Sequence, residues 1–344
     1  MLKGLFAQPY VKFVAKKAVF YAIVIIVAIT FVFLISRCMP GSPLRRWLAG
    51  IAHQQGPGGQ NIEVIKKALE EHFGLDKPLF EQYINFWRQL FAGNLGLSFA
   101  HYPVPVVKLV LQRLPYTLGL VVPVLLISFF LGNWIGAKAA YVGGKRSELI
   151  YFFSVFSNQL PTFWFAMILL FLLTTQVRLF PFVGAYSSWV VPLEVRWSWA
   201  AFSDLLWHYC LPFLTLFIVY LGGWATGMRS MVTHEMDSGY VRYSDQLGFR
   251  KSKSMSYAKR NAILPQFTGL NLYLSALIGE TTVIEVVFGW PGLGRLMYEG
   301  VLENDYPLIF GGFLVSIFVV ILGNFLVDIL YGFIDPRIRI GQGR

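Results

Sequence analysis

The sequence predicts an all-α polytopic membrane protein with six transmembrane helices. Three observations carry that prediction. Of the 344 residues, 56% are hydrophobic and only 14% are charged, whereas an average globular chain carries roughly 25% charge. Mean hydropathy is +0.57, which is more apolar side chain than a soluble core can hide. The apolar residues also fall in six runs, near 18–35, 117–137, 150–174, 210–228, 266–288 and 308–331. Each is close to the length that crosses about 30 Å of hydrocarbon.

The first run follows Lys3, Lys12, Lys16 and Lys17, with no acid among them. A secretory signal would be shorter and would end in a small-x-small cleavage site, which is not found here. A lipoprotein signal is also a poor match, because Arg37 precedes Cys38 where a small residue is expected. Residues 1–36 therefore read as a cytoplasmic N-terminus and the first transmembrane helix. Residues 37–113 read as an extracytoplasmic insertion with short amphipathic helices. Gly56, Pro57, Gly58 and Gly59 make a flexible patch. Ile62, Ile65, Leu69 and Phe73 then lie at helical spacing before Gly74, and Leu79, Tyr83, Phe86 and Leu90 share a second helical face. Residues 114–344 form a five-helix core with a polar cytoplasmic loop at 237–265.

The net charge of +11 would suit nucleic acid, but its distribution argues for membrane topology instead. With six crossings, seventeen Lys and Arg residues fall on the side of the two termini, and the two later outer loops hold only Arg178, Arg196 and Arg295. The long first outer loop holds the other nine, and long translocated segments count little in this rule. Both termini are thus expected in the cytoplasm, and no nucleic-acid partner is expected. Trp189, Trp197, Trp199 and Trp207 crowd the outer segment 176–209. An interfacial belt explains them better than a sugar-stacking platform. Cys38 and Cys210 form neither a disulfide framework nor a metal-ligand spacing, and the five histidines are scattered. There is no phosphate loop of the GxxxxGK(S/T) type, no HExxH and no GxSxG, so the chain carries no sign of an ATPase or hydrolase site of those types.

Ionisable groups inside hydrocarbon face a cavity or a partner. Glu280 and Glu285 fall in the fifth apolar run, five residues apart, and Thr281 adds polarity beside Glu280. Glu280, Thr281 and Glu285 are the candidates for a translocation path, with Glu280 foremost and Glu285 near enough to the outer end to reach the interface. Asn324 and Asp328, at i and i+4, read as packing residues. The loop at 237–265 is the longest polar interruption in the second half. Asp237 or Ser238 can cap a short helix, Val241 and Leu247 give it limited apolar grip, and Gly248 is a natural C-terminal stop. The basic run from Arg250 anchors the return into the membrane.

A series of landmarks then coincides. Met39-Pro40-Gly41-Ser42-Pro43 and Phe73-Gly74-Leu75-Asp76-Lys77-Pro78 come first, followed by Gly93-Asn94-Leu95-Gly96-Leu97-Ser98 and Arg113-Leu114-Pro115-Tyr116-Thr117-Leu118. Pro161-Thr162-Phe163-Trp164, Arg260-Asn261-Ala262-Ile263-Leu264-Pro265, Phe288-Gly289-Trp290-Pro291-Gly292-Leu293-Gly294-Arg295, Asp305-Tyr306-Pro307 and Asp335-Pro336-Arg337 complete the series. In this order and spacing the chain resembles the membrane permease subunit of binding-protein-dependent ABC importers of the dipeptide/oligopeptide class.

The resemblance implies a type I ABC importer permease fold and a transport subunit rather than an enzyme. It implies a second homologous permease, two ABC ATPase subunits holding ATP and Mg, and an extracytoplasmic solute-binding protein. It implies no cofactor, metal or catalytic site in this chain. It places ATPase coupling on Ser238, Gly239, Tyr240, Val241, Arg242, Tyr243, Ser244, Asp245, Gln246, Leu247 and Gly248. The chain departs from the family at 243–247, where members often read Thr-Ala-Arg-Ala-Lys, at Pro40-Gly41-Ser42-Pro43, where Pro-Gly-Asp-Pro is common, and at Glu280, where small residues are common. Short peptides are the expected cargo, with oligosaccharides or nickel as alternatives. An ion-coupled secondary transporter working through Glu280 and Asp328 is the alternative of a different class.

Overall fold

The computed structural model describes residues 8–38, 77–142, 144–187 and 198–334. The expectations placed on Met39 to Pro43, on the Gly56 patch, on Ile62, Ile65, Leu69 and Phe73, on Trp189 and Trp197, and on the ending from Asp335 lie outside those residues. In chain order the helices are α1 (Gln8–Cys38), α2 (Leu79–Phe91), α3 (Val106–Val142), α4 (Gly144–Gln159) and α5 (Thr162–Leu170), which runs on into a π-helical turn (Phe171–Gln176). Then come α6 (Trp199–Met236), α7 (Gly239–Gln246), α8 (Lys251–Val287), α9 (Leu293–Glu303) and α10 (Tyr306–Ile334). Among the described residues there is no strand, only an isolated antiparallel bridge between Leu97 and Pro105.

Helices α1, α3, α6, α8 and α10 are long and apolar enough to cross a membrane. The sixth crossing is expected over the apolar run 150–174. It is the pair α4 and α5, bent by 99° at the break between them. The cause is local. Pro161 has no N–H to donate, and its ring pushes Leu160 out of helical geometry. Pro161 itself stands at φ −60°, ψ 120° before α5 begins. Counted as one broken span, the pair brings the total to six.

The chain divides into two units, a larger one of Met1–Tyr21, Tyr116–Pro291 and Val320–Arg344, and a smaller one of Ala22–Pro115 and Gly292–Val319. In the larger unit α6 is the central element, buried along Leu211, Leu216, Val219, Tyr220 and Trp224. Small residues let α3 close on it. A Cβ at Gly132 would stand 2.5 Å from the Trp224 Cβ, and one at Gly136 would stand 2.9 Å from the Met228 Cβ. This small-xxx-small spacing is the packing device expected where no hydrophobic drive separates helix from lipid. Phe129 of α3 adds an edge-on contact with Trp224, with ring centroids 5.0 Å apart. Asp328 of α10 ties three helices together. It accepts from Lys17 Nζ at 2.7 Å, from the Tyr21 hydroxyl at 2.8 Å and from Asn271 Nδ2 of α8 at 2.8 Å. Asn324 sits one turn away and donates to Ser275 Oγ at 3.3 Å.

The smaller unit has its own cores. One joins Val106, Val110, Leu293, Leu296 and Leu308, and the other sets Phe86, Trp87 and Leu90 of α2 against Ile29, Val32 and Leu314. The expected face of α2 is right except at its start. Leu79 is 64% exposed, while Tyr83 packs edge-on to Phe33 and its hydroxyl meets that of Thr30 at 2.7 Å. Asp305 clips a distant loop onto the start of α10. Fully buried, it accepts from the Ser98 hydroxyl, from the Ala100 N–H at 3.1 Å and from the Leu308 N–H at 3.1 Å. Replacing Asp305 with Ala should therefore destabilise the protein by about 3 kcal/mol, because two buried donors and one partly buried donor lose a charged acceptor. Thermal melting of the purified protein in detergent reads this, and an unchanged midpoint would contradict the clip.

Candidate coupling and translocation sites

Helix α6 ends at Met236, and the chain turns through Asp237 and Ser238 into α7. The first helical bond of α7 runs from the Arg242 N–H to the Ser238 carbonyl at 3.1 Å. The expected side-chain cap does not form. Ser238 Oγ donates back to the Glu235 carbonyl at 2.6 Å, because the tight turn from α6 leaves that carbonyl within reach. The C-terminal stop forms as expected, by the paired bonds of a Schellman motif. The Gly248 N–H reaches the Asp245 carbonyl at 2.9 Å, and the Phe249 N–H reaches the Ser244 carbonyl at 3.2 Å. Gly248 holds φ +77°, a conformation that costs a residue with a Cβ.

The two faces of α7 differ in kind. Val241 and Ser244 point inward, and Val241 is 0% exposed. Ser244 Oγ meets Ser254 Oγ at 2.9 Å, and Ser254 in turn donates to Asp245 Oδ1 at 2.6 Å. This hydroxyl chain fixes α7 to the first turn of α8. Outward stand Tyr240, Tyr243 (62% exposed) and Leu247 (56% exposed). They are spaced i, i+3, i+7, one stripe of a helix, and Phe249 lies just beyond. The expectation that Val241 and Leu247 share one grip is therefore corrected, because α8 covers the Val241 face. Gly239, Arg242, Asp245 and Gln246 are exposed around the stripe. The Arg242–Asp237 pair, at 3.5 Å, is exposed on both sides and adds little stability. Tyr240 donates to Glu235. Burial first, and then the Glu235 carboxylate, push its phenol above the ordinary range. It remains a neutral donor.

The second candidate site lies along α8. That helix is continuous from Lys251 to Val287 with Pro265 inside it. Ser254 and Glu280 sit on one rod, roughly 39 Å apart at 1.5 Å per residue. Glu280 is half-buried and accepts from the Thr162 hydroxyl at the start of α5, at 2.7 Å. Thr281 does not line a path in this structure. It is fully buried, and its hydroxyl donates to the Leu277 carbonyl at 2.6 Å. Glu285 is corrected too. It does not reach the interface but is fully buried, accepting from the Thr117 hydroxyl at 2.6 Å. Trp290 folds back to donate to the Tyr116 carbonyl at 3.2 Å and packs edge-on to the Tyr116 ring. Sequence spacing gave no signal for Thr162, Thr117 or Ser254 as partners, since helix contacts between distant segments leave no local pattern.

Residues 128–340 match the family model described as the inner membrane component of binding-protein-dependent transport systems, and residues 10–121 match the model for the N-terminal part of such components. The chain belongs to this family. Its relatives include the oligopeptide transport system permease protein AppB of Bacillus subtilis, 30% identical over 312 residues that cover 89% of this chain and 92% of the relative. The dipeptide transport system permease protein DppB of Lactococcus lactis is 26% identical, covering 96% of this chain and 100% of the relative. The probable D,D-dipeptide transport system permease protein DdpB of Escherichia coli is 29% identical, covering 90% and 92% respectively.

The chain is thus a multi-pass membrane permease subunit of a transport system. Several landmarks of its sequence are pairs that meet in the fold. Tyr116 and Thr117 meet Trp290 and Glu285, and Ser98 meets Asp305. Pro161-Thr162 is both the break before α5 and the support of Glu280.

Proposed function

We propose that this permease forms half of the pathway of an ATP-driven importer of short peptides, and that it receives its drive at α7. The other half would be a second, homologous permease. Two ATPase subunits would hold ATP and Mg and grip 238–248, and a solute-binding protein would deliver cargo from outside. No cofactor is assigned to this chain. The distribution of Lys and Arg supports a topology with both termini and α7 in the cytoplasm.

One observation carries the coupling role. An aromatic and apolar stripe, Tyr240, Tyr243 and Leu247, lies open on a short helix whose other face is fixed to α8. A partner seated on that stripe moves α7 and α8 as one body. A nucleotide-loaded partner that prefers one arrangement would then shift the population between outward- and inward-facing states. Peptide as cargo is supported by the names of the relatives. The ion-coupled alternative is disfavoured by Asp328, whose carboxylate is already held by Lys17, Tyr21 and Asn271.

Affinity purification of the tagged chain from its native membrane, in mild detergent, tests the assembly. A second permease and an ATPase should co-purify. Recovery of the chain alone, still active in transport, would overturn the proposal.

A further inference from the structure

We propose that Glu280 and the aromatic cluster beside it form a transit site for the positively charged amino terminus of a peptide. This inference rests on the peptide-import reading above. It starts from what Glu280 lacks. Each of the other two carboxylates at membrane depth is enclosed: Asp328 is paired with Lys17, and Glu285 is fully buried. Glu280 is only half-buried, its one hydrogen bond comes from a neutral hydroxyl, and no cation among the described residues pairs with it. A carboxylate at that depth is costly unless a positive partner meets it.

The surroundings suit an organic ammonium. Gly279 is exposed, and a Cβ there would meet nothing within 4 Å, so this chain leaves the adjoining face of α8 uncovered. Glu280 lies where that open face of α8 meets its packed face, one turn from the buried Leu277 and Ile284. Tyr273, two turns before it on α8, stacks on Trp224 with ring centroids 4.1 Å apart, and Tyr220 sits edge-on to Tyr273 at 5.7 Å. Tyr273 and Glu280 are seven residues apart on the continuous α8, so they share one face of it, roughly 10 Å apart along the axis. Aromatic faces together with a carboxylate are the chemistry that takes an ammonium group out of water.

A second observation points to a ligand. The Tyr220 hydroxyl and the Trp224 Nε1 are both buried and have no hydrogen-bond partner. Buried polar groups are almost always partnered, and a peptide carries the amide groups these two could meet. A metal cation fits less well, since no group of three His, Cys, Asp or Glu side chains among the described residues could hold one.

The test is equilibrium binding of radiolabelled trialanine and N-acetyltrialanine to the purified complete transporter without its binding protein, for wild type, Glu280→Gln and Glu280→Asp. Trialanine should bind the wild type, and roughly tenfold more weakly to Glu280→Gln, the loss of one charge-assisted contact. Glu280→Asp should retain a preference for the free amine, and N-acetyltrialanine should bind weakly and equally to all three. Equal trialanine binding by wild type and Glu280→Gln would overturn the inference, as would N-acetyltrialanine binding the wild type as well as trialanine does. A transporter that binds neither peptide, yet imports trialanine once its binding protein is restored, overturns the transit site and leaves the import reading standing. A complete transporter that imports no peptide overturns both.

Discussion

Replacing Leu247 with Asp should abolish peptide uptake by the assembled transporter while leaving the chain folded in its membrane. Leu247 is 56% exposed in this chain, so the substitution disturbs no internal packing. Its backbone, at φ −75° and ψ 1°, accepts any residue, and Gly248 still supplies the left-handed stop. A carboxylate at a helix C-terminus opposes the dipole by only about 0.3–1 kcal/mol. The large effect arises at the proposed partner surface, where a charge would be buried without a partner at a cost of about 3 kcal/mol, or more than roughly a hundredfold in occupancy. ATP-driven uptake into vesicles and chain abundance in the membrane are the two readouts. Full uptake coupled to hydrolysis in Leu247→Asp would remove α7 as the contact.

Replacing Asp328 with Ala should destabilise the permease by about 2–3 kcal/mol, because a partly buried carboxylate that accepts from three donors is removed. Asp328 is the acceptor for Lys17, Tyr21 and Asn271, and without it the Lys17 ammonium is left unpaired beside α10. The sign of the effect can be checked with a second variant. Lys17→Met combined with Asp328→Leu removes both charges and should recover most of the loss, since the pair itself adds little over a packed apolar contact. Thermal melting of the three proteins reads how much of the loss the double variant recovers. If Asp328→Ala and the double variant melt together well below the wild type, the destabilisation does not come from a stranded Lys17.

Much of this architecture was legible in the sequence, because membrane insertion writes local patterns. The apolar runs gave the long helices, and Gly248 marked the end of α7 by its own conformational freedom. The bend at Pro161 was legible in principle, since Ser157-Asn158-Gln159 interrupt the apolar residues just before Leu160-Pro161. What could not be read were contacts between distant segments. Thr162 supports Glu280 from 118 residues away, and Ser98 is held by Asp305 from 207 residues away. Glu285 looked interfacial because it lies one turn before Gly289 and Trp290. Instead Glu285 is fully buried on the Thr117 hydroxyl, and the turn after it folds back, with Gly289 at φ +59° and the Trp290 indole on the Tyr116 carbonyl. Val241 and Tyr243 illustrate the same point on α7. Helical spacing tells which residues share a face, but not which face α8 will cover.

The central claim is that this permease moves peptide only when ATPase partners drive it. The most direct measurement is uptake of radiolabelled trialanine into liposomes containing either the complete transporter or this chain alone, with internal or external ATP and with imposed proton or sodium gradients. The account predicts uptake by the complete transporter that requires ATP on the α7 side and the binding protein on the other, and none by the chain alone under any gradient. Gradient-driven uptake by the chain alone, insensitive to ATP, would contradict it.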